Sequence, residues 1–167
     1  MTLRLILIRH AKSSWDDPLL DDHDRTLNER GRKSAHAIGK WLADKHYLPV
    51  VVLCSSARRT VETWKILTSH IDNEAAVEIS SGLYLASAHR MLTLLSKQHE
   101  ATVLMLGHNP GTGSLAAGLI SRRPAHTQFN KYPTAATSII DFNVANWAAV
   151  TPGSGELVDF VVPRDLV

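Results

Sequence analysis

The pattern of apolar and polar positions divides the chain into short apolar runs separated by helical periods. Leu3 to Ile8 is nearly continuous in apolar residues, which predicts a strand of a parallel sheet covered on both faces. Val50 to Cys54 and Thr102 to Leu106 repeat that signature, and Ala76 to Ile79 predicts a shorter strand. Ala35, Ile38 and Leu42 mark one face of a helix running to about Lys45, with Thr26 and Glu29 reading as its capping box. Ser55 and Ser56 stand as caps for a second helix carrying Ala57, Val61, Trp64, Leu67 and Ile71. Ser87 caps a third with Met91, Leu92, Leu94 and Leu95. Asn109 and Pro110 open a fourth, whose small residues Gly113, Ala116, Ala117 and Gly118 predict close packing on the sheet. Ser138 to Asn143 and Leu157 to Val162, joined through Pro152, Gly153 and Gly155, predict a late pair of strands closing an edge. Strand and helix alternate for most of the chain, so an α/β fold with a mostly parallel sheet follows. The acidic, aperiodic segment from Lys12 to Arg25 predicts a loop over the strand tips.

Composition narrows the class. At 167 residues the chain is expected to form a single domain, 1–167, with a sizeable core. Its 18 basic against 16 acidic side chains, and the run Asp16, Asp17, Asp21, Asp22 and Asp24, argue against a nucleic-acid partner. Cys54 has no second cysteine to pair with, which points to a reducing compartment. No leader-like or membrane-spanning apolar run is visible, so a cytoplasmic protein with no membrane partner is expected. Oligomeric state is not legible.

Candidate chemistry lies at the strand tips, because ligands of parallel sheets bind beyond the carboxyl ends of their strands. The first run ends in Arg9 and His10, a guanidinium fork for an anion beside a nitrogen that can attack an electrophile. Arg58 and Arg59 fall in the first turn after the second run, where cations oppose the helix dipole by roughly 0.3–1 kcal/mol. A bound anion reverses that sign. The later strand ends in His108, at the mouth of a helix. These segments converge on one sheet edge as a cradle for a phosphoryl group with a histidine nucleophile. No two of the nine histidines are closer than nine residues, so no short metal-ligand spacing exists, and neither a P-loop nor a GxSxG elbow is present. Neither metal nor cofactor is expected.

RHAKSSW after the first strand, TLNERGRKSA at the first helix, SSARRTVET after the second strand, GHNPG after a later one, KYPTAA and the closing PRDL together resemble the histidine phosphatase superfamily, and within it the small SixA-type phosphohistidine phosphatases. The resemblance spans essentially the whole chain and implies a phosphoglycerate mutase-like three-layer sandwich. It implies that His10 is the nucleophile, forming a phosphohistidine intermediate, while Arg9, Arg59 and His108 hold the phosphoryl oxygens. Ser14, Asp16 and Arg58 are then expected to contact the substrate around that core. Asp16 departs from the amide that mutases carry in this loop. The glutamate proton donor of mutases and many sugar phosphatases is absent as well, since SGLYLAS contains no acid. A phosphoramidate leaves as an imidazole that needs little protonation, so a phosphohistidine-bearing phosphoprotein is the expected substrate. A carboxylate from the Asp16 to Asp24 loop is a substitute acid. A small phosphate ester is the rival substrate, and a phosphate-binding module without turnover the rival class.

Overall fold

The computed structural model describes residues 2–167. Six strands form one sheet in the order β3-β2-β4-β1-β5-β6. β1 (Leu3–Arg9), β2 (Val51–Ser55), β3 (Ala76–Ser80) and β4 (Thr102–Gly107) are mutually parallel, whereas β5 (Thr137–Phe142) and β6 (Gly155–Val161) add as an antiparallel pair beside β1. The sheet is therefore mixed, and β1 lies where the parallel and antiparallel parts meet.

The apolar run of β1 is continuous because both faces are covered. Leu3, Leu5 and Leu7 join a cluster with Met91 and Leu95 of α3 (Ala88–Ser96) and Leu115 and Ala116 of α4 (Gly111–Leu119). Ile6 and Ile8 join another with Ala35, Ile38 and Leu42 of α1 (Glu29–Asp44) and Trp64 and Leu67 of α2 (Arg58–Thr68). Period-two alternation thus sends successive side chains of one strand into two cores, which makes the three layers. Cys54 is buried in the second of them, and burial pushes its thiol up to about 12.

Three local expectations are corrected. α1 is capped by Asn28, whose side chain accepts from the Gly31 amide at 2.7 Å, because Thr26 and Leu27 are drawn into contacts with the loop and with Glu62. α2 starts after Ala57 without a side-chain cap, since Ser55 is the last residue of β2. α4 begins at Gly111, with Pro110 in the cap position; Asn109 still caps through its side chain, accepting from the Gly113 amide at 3.1 Å.

One glycine fixes the approach of helix to strand tip. A Cβ on Gly31 would lie 2.0 Å from the Lys12 carbonyl oxygen, so α1 meets the chain just after His10 only because this position has no side chain. No helix among the described residues is long and apolar enough to cross a membrane.

Candidate active site

Strand register builds the site. Arg9 of β1 lies opposite Gly107 of β4, and Cys54 of β2 opposite Leu106, so His10, His108 and Ser55 emerge together at one sheet edge. The amide of His10 donates to the Gly107 carbonyl at 3.1 Å. From the other side, the Ala135 amide donates to the carbonyls of both Arg9 and His10 at 3.0 Å. The next amide, that of Ala11, donates to Thr63 Oγ1 of α2 at 3.1 Å. The tip is clamped on three sides, and His10, Arg59 and His108 are all buried.

The hydrogen bonds assign the tautomers. His10 Nδ1 lies 2.6 Å from the Ala11 carbonyl, an acceptor only, so Nδ1 carries the proton and Nε2 keeps its lone pair. His108 is the reverse. Its Nδ1 accepts from Arg59 Nη2 at 3.3 Å, which places its proton on Nε2, 2.7 Å from Ser55 Oγ. The two rings lie 5.3 Å apart, centroid to centroid. Burial, reinforced by neighbouring guanidinium charge, pushes His10 down to about 4 and His108 down to about 3. Both are neutral near pH 7, and a neutral imidazole is the nucleophilic form.

Donors surround this pair. Arg9 spends Nη1 on the Tyr132 carbonyl at 3.2 Å, and burial and the charge of Arg59 hold its guanidinium below its usual pKa. The Nε atoms of Arg9 and Arg59 are both buried without a hydrogen-bond partner among the described residues. Unspent donors on buried cations mark a place where an anion belongs.

Two residues of this cluster come from the loop, and only the structure reveals their part. Asp22 accepts from Arg59 at its carbonyl (2.7 Å) and at Oδ2 (3.1 Å), while Oδ1 accepts from Arg25 Nε and Nη2 at 3.2 and 3.0 Å. The Tyr84 hydroxyl also donates to Oδ2. Arg25 is buried, donates to Ser13 Oγ and lies over the Trp15 ring at 3.6 Å. Burial alone would raise the Asp22 carboxyl, but the bonds from Tyr84 and Arg25 and the charge of Arg59 bring it down to about 2. Its neighbour His23 lies 2.9 Å from Ser56 Oγ, so the loop is strapped to the start of α2. In sequence these residues are a loop Asp-x-x-Arg with no period; the one available signal was the density of acids facing an arginine-rich tip.

Of the remaining expected contacts, Arg58 is exposed on α2. Ser14 is half-buried and its hydroxyl accepts from the Asp16 amide at 3.1 Å. Asp16 is exposed in a shallow surface cleft with Asn28, Glu29, Arg30 and Lys33, away from the buried cluster. Among the described residues, no group of three or more His, Cys, Asp or Glu side chains converges to hold a metal ion.

Residues 5–84 match the histidine phosphatase superfamily (branch 1), and the chain belongs to that superfamily, an enzyme family of phosphoryl chemistry. An uncharacterised protein of Mycobacterium tuberculosis is 34% identical over 166 residues, spanning 94% of this chain and all of that one. A structure assigned as the phosphohistidine phosphatase SixA of Agrobacterium tumefaciens superposes with a TM-score of 0.80 at 28% identity, covering 96% of this chain and 98% of the other. A second assigned to SixA, from Nakamurella multipartitia, gives 0.79 at 25% identity over 98% and 97% of the two chains. The fold is accordingly phosphoglycerate mutase-like. The matched segment contains Arg9, His10 and Arg59 but ends before His108, which the register of β4 against β1 brings to the same edge.

Proposed function

We propose that this chain is a phosphatase that takes the phosphoryl group of a phosphohistidine borne on a protein, carries it on His10 and passes it to water. The reading draws support from family membership, from the SixA-assigned structures above and, most directly, from the protonation states of the site. The cradle has a nucleophile and anion donors but no group poised to give up a proton. The His10 proton is committed to Ala11, the His108 Nε2–H is that of a neutral imidazole and too weak an acid to protonate a leaving group, Asp22 is ionised, and the Tyr84 hydroxyl is held by Asp22 with its pKa raised by burial and by that bond. A leaving group that needs protonation is poorly served there, whereas a protonated phosphohistidine ring brings its own proton.

In this mechanism His10 Nε2 attacks phosphorus as the bond to the departing nitrogen breaks, leaving the electron pair on that nitrogen. Water then attacks the phosphohistidine on His10: its oxygen bonds to phosphorus as the P–Nε2 bond breaks, the electron pair returns to Nε2, the water's proton leaves with the phosphate product, and the free imidazole is regenerated. Arg9, Arg25 and Arg59 against the single carboxylate of Asp22 leave two positive charges, the complement of a phosphoryl dianion. Arg9 and Arg59 carry the unspent donors that meet the phosphoryl oxygens. His108, as a neutral N–H donor at Nε2, turns from Ser55 to the same anion. Water attack needs no metal in this scheme, and nothing in it requires a cofactor. Ser14, Asp16 and Arg58 serve at most as outer contacts to the substrate protein.

The test is phosphate release from a phosphohistidine-bearing phosphocarrier protein and, separately, from sugar phosphates, by wild type and His10→Ala. Turnover of the phosphoprotein that vanishes in His10→Ala is expected. Turnover of sugar phosphates alone would assign the substrate to small esters, and no turnover of either would leave a binding module.

A further inference from the structure

Asp22 is more than a counter-ion for two arginines. Its four accepted hydrogen bonds fill the acceptor positions of a carboxylate: Arg25 Nε and Nη2 on Oδ1, Arg59 Nη2 and Tyr84 Oη on Oδ2. The two halves of that set differ. Arg25 is pinned by Ser13, by the Ser14 carbonyl at 3.4 Å and by the Trp15 ring, so the Oδ1 half is a fixed anchor. Arg59 also faces the phosphoryl cradle, touching His108 Nδ1 at 3.3 Å with the same Nη2 that it gives to Asp22. A phosphoryl dianion arriving beside His10 engages the unspent Nε of Arg59 and turns the guanidinium toward itself, so that the shared Nη2 is drawn off Asp22 and one acceptor position on Oδ2 opens at the rim of the cradle.

Resting on the phosphohistidine reading above, the geometry points to Asp22 as the residue that selects the leaving group: its vacated Oδ2 accepts the ring N–H of the departing imidazole. The exchange is balanced. The P–N bond of the substrate breaks as the P–Nε2 bond to His10 forms, and the electron pair stays on the departing nitrogen. The proton on the other ring nitrogen remains where it was, held by Asp22, so that the ring departs as neutral imidazole rather than imidazolate. No proton crosses to or from Asp22, which suits a carboxylate held ionised by its partners. An ionised carboxylate at the rim also disfavours substrates that carry a second anion close to the phosphoryl group, such as phosphorylated hydroxy acids, because like charges held close together repel.

The assay compares kcat/KM for a phosphohistidine peptide with kcat/KM for p-nitrophenyl phosphate, whose leaving group has no N–H, in wild type and Asp22→Asn. Asparagine keeps one oxygen for Arg25, on the Oδ1 side, and puts an amide NH2 beside Tyr84, but it lacks the charge that holds an imidazolium proton. The ratio of the two values is expected to fall about tenfold or more in the variant, in the range of charge-assisted hydrogen bonds. A parallel loss on both substrates would overturn the inference, since it would mean that Asp22 merely positions Arg59. A second readout is the single-turnover rate of phosphoryl transfer from the peptide against pH. Its alkaline limb should move to lower pH in Asp22→Asn by about one unit, because the substrate ring loses its proton sooner without the carboxylate. The charged and titratable groups facing Asp22 are Arg25, Arg59, Tyr84, His108 and, on its own turn, His23 and Asp24, and all remain in the variant. An unmoved limb would overturn the inference. Wild-type protein that cleaves p-nitrophenyl phosphate but leaves the peptide intact would defeat the phosphohistidine reading itself, a different result from either.

Discussion

The cradle and the loop that rims it are built by different means. Arg9, His10 and His108 are held by strand register and by backbone bonds to Gly107 and Ala135, and Arg59 by its place in the first turn of α2; His10, Arg59 and His108 are buried. The Lys12–Arg25 loop has no ladder beyond one antiparallel bridge, Ser13 to Leu27, and Trp15 and Leu19 are 76% and 91% exposed; its far end is held through the side chains of Asp22, His23 and Arg25. The first region costs the protein buried charge that the fold must compensate, and the second supplies the compensation. Isolated buried guanidiniums are expensive, and Asp22 reaching in from the loop offsets part of that cost while leaving net positive charge for the substrate. In this account chemistry resides in the rigid region and selectivity in the loop.

Substitutions in the two regions should therefore separate. The largest effect is expected from Arg59→Ala, which removes a phosphoryl donor and leaves Asp22 and His108 without their partner. Phosphoryl transfer should slow by about 10²–10³-fold, as for loss of a preorganised oxyanion donor, measured by single-turnover release of phosphate. Ring-proton NMR and thermal unfolding should next sharpen the contrast by pH. His10 and His108, lowered to about 4 and about 3, should show no titration between pH 8 and 5. Because the unfolded chain takes up these protons near the ordinary histidine value of about 6.5, stability should rise with pH from about 4 to 6.5, and the melting temperature should fall as pH is lowered through that window. Gly31→Ala should be smaller in its effect on stability, yet felt at the nucleophile, since the added Cβ collides with the Lys12 carbonyl. Overpacking of this kind costs about 1–3 kcal/mol, read by denaturant unfolding, with a loss of turnover exceeding the loss of folded protein.

The same contrast explains how much was legible in the sequence. β1, β2 and β4 announce themselves through near-continuous apolar runs, and their tips are fixed once the sheet is parallel, so Arg9, His10, the Arg58–Arg59 pair and His108 could be named from the pattern alone. Burial separates Arg59 from exposed Arg58, and Arg59 is the one of the two that the family resemblance assigned to the phosphoryl oxygens. The antiparallel β5–β6 pair was legible as a closing edge. Helix starts were less so: Thr26 with Glu29 has the form of a capping box, but the Thr26 carbonyl accepts from the Ser14 amide beside the Ser13–Leu27 bridge while Asn28 takes the cap, a tertiary choice that local pattern does not encode. Asp22 and Arg25 were hidden for the same reason. Their roles depend on a loop folding back onto α2 and Tyr84, and five nearby aspartates look alike until one of them meets two buried arginines.

The central claim, that His10 carries the phosphoryl group, is tested most directly by trapping. Protein mixed with excess phosphohistidine substrate, quenched in alkali, separated from that substrate and digested, should yield one phosphorylated peptide of its own, containing His10, stable in alkali and labile in acid, and absent from His10→Ala. A phosphoryl group found on any other residue, or undiminished turnover by His10→Ala, would contradict the account.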